Sequence, residues 1–184
     1  MFKGKLWLHQ IVLFGVLGVL ILISLLDGSF VFDLKLLWWL LGAMLGFLFV
    51  FGDRLVYSLV TKPDETLSLK AKDMFGQQRI VEGLKLLLTE RSDQKELVMR
   101  SFLFLVLWVV LAFFTLTSVN NSLARGFILG IGTHLMFDLI YDYRFDKERL
   151  DMWFWQIKRT LEPEEKKWFV LIMFGLYIWL TLGL

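Results

Sequence analysis

Residues 6–26 read LWLHQIVLFGVLGVLILISLL, 21 residues without one charged side chain. At 1.5 Å per residue the run reaches about 32 Å, the thickness of a bilayer's hydrocarbon core. A soluble core helix keeps a polar face toward water, whereas this run is apolar nearly all round. Lys3 and Lys5 precede it as in a secretion signal. The run exceeds a signal core, however, and Ser24-Leu25-Leu26-Asp27 offers no small-x-small cleavage site, so we read a retained first membrane helix.

Working outward, four more charge-free runs follow: Leu36–Gly52, Ser101–Ala124, Gly126–Phe137 and Trp168–Leu184. Hydrophobic residues make up 57% of the 184, and they concentrate in these runs. The expected fold is therefore all-α: a polytopic helical membrane bundle of about five transmembrane helices. Spans are expected at about 6–26, 36–57, 101–119, 123–142 and 166–184, in a single membrane domain over residues 1–184. The second continues past Asp53 and Arg54, and the fourth carries Asp138 close to or within the membrane.

Charge placement orients the bundle. With the N-terminus in the cytosol and five crossings, 18 of the 20 Lys and Arg residues fall inside, leaving Lys35 and Arg125 outside. That asymmetry follows the rule by which basic loops stay cytosolic. The expected location is the cell's inner membrane, multi-pass, with an external C-terminus. Trp168 falls at an inner end and Trp38, Trp39 and Trp179 near outer ends, as an aromatic belt requires.

Two cytosolic segments, about 64–98 and 144–162, carry amphipathic patterns. Ile80, Val81, Leu84, Leu87 and Leu88 share one helical face. Leu150, Trp153, Phe154, Ile157 and Leu161 repeat the pattern, with Lys147, Asp151, Lys158 and Arg159 opposite. A Trp-bearing stripe backed by basic residues predicts a helix lying in the membrane interface; the alternative is that the two helices pack on each other. Pro163 with Glu164 and Glu165 predicts the first turn of the last helix.

The polar residues inside the spans are few. His134, Asp138 and Asp142 follow at i, i+4 and i+8 along one helix face, and His9 and Gln10 lie at the depth of Asp138 in the first span. Ionisable groups at that depth are costly unless paired, so these five form the candidate intramembrane cluster. A His9–Asp138 or Gln10–Asp138 contact would join helices. Alternatively, His134 and Asp138 would hold a divalent metal, imidazole and carboxylate four residues apart both suiting Zn²⁺ or Mn²⁺. Gly42-x-x-x-Gly46 and Gly126-x-x-x-Gly130 predict close helix packing.

Gly130-x-x-x-His134-Leu135-x-x-Asp138-Leu139 resembles an H-L-x-x-D-L helix of bacterial membrane-bound metal-dependent hydrolases. The resemblance spans about ten residues and implies His134 and Asp138 as metal ligands. Ala124-Arg125 with Asp138 and Asp142 is similar to half of the CDP-alcohol phosphotransferase signature. That reading is rejected, because Thr117, Asn120 and Asn121 stand where its first acidic residues and glycine belong.

Other chemistry is excluded. With no cysteine there is no disulfide, thiolate or Cys-based metal site, and a net charge of +2 gives no reason to expect nucleic acid as a partner. Phosphate-binding and nucleophile-elbow motifs are missing. The expected function is a non-enzymatic assembly, accessory or scaffold subunit needing no cofactor, its partners the bilayer and either its own copies or another membrane protein. The alternatives are a metal-dependent hydrolase or lipid-modifying enzyme using His134 and Asp138, and a small proton- or cation-linked transporter or channel.

Overall fold

A computed structural model describes residues 3–89 and 94–184, so residues 90–93 of the expected 64–98 segment lie outside the described residues. Among those described, the regular structure is all helical, with no strand. The long helices are α1 (Lys3–Leu26), α2 (Leu34–Phe49), α6 (Phe102–Ser118), α7 (Ser122–Phe145) and α9 (Pro163–Thr181). Between α2 and α6 lie α3 (Asp53–Val56), α4 (Thr66–Gly76) and α5 (Ile80–Thr89); α8 (Lys147–Met152) follows α7.

Local chemistry sets the ends. Asp33 caps α2 by accepting the Leu36 N–H at 3.0 Å, Ser101 caps α6 through the Phe104 N–H, and Asn121 caps α7 through that of Ala124. Pro163 opens α9 behind a reciprocal capping box between Glu162 and Glu165. Helical structure runs without a break from Leu34 to Thr61, passing through a 3₁₀ turn at Val50–Gly52 and a π turn at Tyr57–Thr61.

Three helical stretches are long and apolar enough to cross a membrane: Leu8–Leu26, Leu34–Thr61 and Ser122–Phe145. The other two expected spans fall short on that measure. α6 has 17 residues, and α9 carries Glu164, Glu165, Lys166 and Lys167 directly after Pro163.

The long helices alternate in direction. The α2/α7 seam is parallel, because residues 39, 43 and 47 of one climb beside 126, 127 and 130 of the other. α6 runs against α7: Arg100 meets Asp138, the Trp108 indole lies over Gly132, and Arg125 donates to the carbonyls of Val119 and Leu116. α9 runs with α6, Phe102 contacting Phe169 and Trp108 contacting Tyr177. α1 opposes α2, with His9 near Phe47 and Phe51 while Leu20 and Trp39 line one cavity at the other end.

α7 is the central element. Its buried residues include Gly126, Leu129, Gly130, Gly132, His134, Leu135, Asp138, Leu139 and Asp142. A Cβ on Gly42, Gly46, Gly126 or Gly130 would collide with backbone of the facing helix, at Leu123, Phe127, Trp39 and Ala43 respectively. Glycine is required here because the obstacle is backbone, which no rotamer change removes.

The 146–162 stripe is a correction. Its helix ends at Met152, and Trp153 (1% exposed) and Phe154 (6% exposed) sit in the protein core with Trp108, Leu139 and Met173. The Trp153 carbonyl accepts the Phe102 N–H at 2.7 Å, and its indole N–H donates to Asp142 at 3.1 Å. An apolar stripe asks only for an apolar neighbour, and here the protein supplies it. The 64–98 segment also differs from one amphipathic stripe. α4 ends at Gly76, Gln78 just beyond it turns the chain with φ +60°, and α5 folds back so that Leu87 buries against Leu67 and Ala71, leaving Ile80 and Val81 exposed.

Candidate functional site

Three elements converge on Asp138. Its Oδ1 lies 3.0 Å from His9 Nε2 of α1, and its Oδ2 lies 2.5 Å from an Arg100 guanidinium nitrogen and 3.3 Å from His134 Nε2. His9, His134 and Asp138 are 2%, 0% and 1% exposed. The Arg100 contact is an ion pair, short but not aligned as a hydrogen bond.

Arg100 is held by backbone design. The Asp53 carboxylate accepts the N–H groups of Val98, Met99 and Arg100 at 3.1, 3.0 and 3.3 Å. The Ser101 hydroxyl donates to the Val98 carbonyl at 2.7 Å. Two side chains thus fix the turn before α6, and the arginine that follows is aimed into the bundle. Arg54, next to Asp53, donates to the Leu87 and Leu88 carbonyls near the end of α5, where a cation complements the helix dipole. Gln94 donates to the same Leu87 carbonyl.

His134 is oriented by the opposite side of its ring. Nδ1 lies 2.8 Å from the Phe47 carbonyl, just before α2 tightens into its 3₁₀ turn. A carbonyl only accepts, so Nδ1 carries the hydrogen, and in the neutral ring Nε2 presents a lone pair toward Asp138. The rings of Phe47, Phe51 and Phe137 close the surroundings of the two histidines.

The five candidate residues therefore separate. His9, His134 and Asp138 come together, with ligand atoms all within 4.8 Å of one another. Asp142 is buried one turn away, bonded to Trp153, and lines a cleft with Arg54, Arg100 and Arg149. Gln10 is exposed on the outer face of α1 and takes no part. Arg100 and Asp53 were not among the expected residues. The available signal was an Asp-Arg pair inside an apolar helix and an arginine at the lip of a 24-residue charge-free run.

The arrangement provides a buried carboxylate bridged to two imidazoles and a guanidinium, chemistry suited to joining helices or to holding a divalent ion. No protein family matches the chain, and neither a curated protein nor a solved structure is similar to it.

Proposed function

We propose that this chain is a five-span membrane protein acting as a non-enzymatic assembly or accessory subunit, with its cluster serving to lock helices together. The observation that carries this reading is the closure of Asp138. Its carboxylate is bracketed by His9, His134 and Arg100 from three elements, and the side chains of His9, His134 and Asp138 are almost wholly withdrawn from the surface. A hydrolase or a transporter needs a route for substrate or ion to such a group; a lock needs none.

The alternation of α1, α2, α6, α7 and α9 supports five crossings, since α6 climbs the height of α7 from Asp138 to Arg125. The basic segments 54–100 and 144–167 then share one side, taken as cytosolic. Exposed Trp38, Trp168 and Trp179 suit the interfaces, and exposed Phe14, Leu22 and Phe113 suit lipid. The lipid bilayer and its own copies or another membrane protein are the partners this reading requires.

Reporter fusions at residues 75, 121 and 184 should read cytosolic, external and external; a cytosolic residue 184 contradicts five spans. For the function itself, the protein reconstituted in liposomes should dissipate a proton gradient no faster than empty liposomes. A flux abolished by Asp138→Asn would establish transport instead.

A further inference from the structure

We propose that His9, His134 and Asp138 bind one divalent transition-metal ion of the zinc class, an ion that staples α1 to α7. Three observations carry this. The first is His134 Nε2, fully buried, without a hydrogen-bond partner, and facing the carboxylate at 3.3 Å. With Nδ1 committed to the Phe47 carbonyl, two electron-rich atoms oppose each other across the site. Arg100 already pairs with the carboxylate oxygen, and a metal ion would serve the imidazole lone pair as well. Anchoring the far ring nitrogen on a carbonyl is also how metal-bound histidines are held in one orientation.

The second observation is spacing. Zinc-to-ligand bonds of about 2.0–2.1 Å place neighbouring ligand atoms of a tetrahedron about 3.3 Å apart. Asp138 Oδ1 stands 3.0 Å from His9 Nε2 and Oδ2 stands 3.3 Å from His134 Nε2, and a ligand atom from each of the three residues lies within 4.8 Å of the other two, so modest closure of the side chains brings them onto one ion. Two imidazoles and a carboxylate suit zinc-class metals better than Mg²⁺ or Ca²⁺, which prefer all-oxygen shells. One tetrahedral position is left to the second carboxylate oxygen or to water.

The third is position. The ligands come from the N-terminal helix and the central helix. α1 is the least buried of the three long apolar stretches, so an ion here ties down the element that packing holds least.

The test uses the full chain, tag removed, purified in detergent without chelator. Elemental analysis should find about one zinc-class ion per chain. Metal-stripped protein titrated with Co²⁺ should develop visible d–d bands, with affinity falling about tenfold or more in His134→Gln and in His9→Ala. Stripping should lower the melting temperature, and Zn²⁺ should restore it. Folded wild-type protein, judged by circular dichroism, that holds no stoichiometric metal and gives no Co²⁺ bands would overturn the proposal, whatever the variants do. Co²⁺ bands unchanged in a folded His9→Ala/His134→Gln double variant would also overturn it, since the ion would then sit elsewhere. Neither result bears on the assembly reading, which rests on closure and is tested by flux.

Discussion

The two halves of α7 are packed by opposite means. Its N-terminal half meets α2 backbone to backbone, through Gly126 and Gly130 on one side and Gly42 and Gly46 on the other. Its C-terminal half meets its neighbours through charge, Asp138 reaching His9 and Arg100 and Asp142 reaching Trp153. The first half needs side chains to be absent, and the second needs particular side chains to be paired. In the membrane setting proposed above both would be sound solutions, because apolar bulk gives no preference for protein over acyl chains. They fail differently, however: a seam is broken by adding atoms and a lock by removing them.

The largest effect is expected at the lock. Asp138→Leu strands Arg100 without its counter-charge and should cost about 3–5 kcal/mol, the range for one partner lost from a buried pair. Denaturation in mixed micelles measures this, and a loss below about 1 kcal/mol would show that the pair is solvated.

The seam should answer next. Gly130→Ala drives a Cβ into the Ala43 carbonyl and should destabilise by about 1–3 kcal/mol, as overpacking does. Gly15→Ala and Gly18→Ala in α1 meet nothing within 4 Å and should be neutral or stabilising by up to about 1 kcal/mol, the ordinary helix preference for alanine. Equal responses at Gly130 and Gly15 would erase the distinction between seam and open face.

The seam was legible in the sequence and half of the lock was not, for a physical reason. Spacings within one helix, such as 126/130 or 134/138, follow from 3.6 residues per turn and can be read locally. Arg100 reaches Asp138 only because Asp53, 47 residues earlier, binds its backbone N–H, a pairing that no periodicity records. His9 and Gln10 are adjacent and equally polar, yet one is buried and the other exposed, since helix rotation is set by neighbours. Trp153 shows the same limit from the other side: an amphipathic stripe reads identically whether lipid or protein covers it. Composition gives the helices and their alternation, while the polar partners depend on contacts between distant segments.

The smallest effect lies outside both regions. Arg159 pairs with Glu165 at the start of α9, and that pair and the Glu162 N–H hold the Glu165 carboxyl down at about 2. A depressed carboxyl stabilises above its unfolded value and loses that contribution as pH falls through its folded one. The capping box should therefore hold from neutral pH to about 4 and fray between there and about 2. Hydrogen exchange at the first turn of α9 reads this, and fraying complete above pH 4 would contradict it. The pair is exposed, so high salt should weaken it while leaving the buried lock unmoved.

The central claim is that Asp138 and Arg100 act as one unit. A double-mutant cycle on Asp138→Leu and Arg100→Met, followed by unfolding in mixed micelles, tests it most directly. Removing both partners deletes the charge problem that either single change creates, so the double variant should be more stable than the sum of the singles predicts, by at least about 1 kcal/mol. Single-variant losses that add to within about 0.3–0.5 kcal/mol would show two independent residues and no lock.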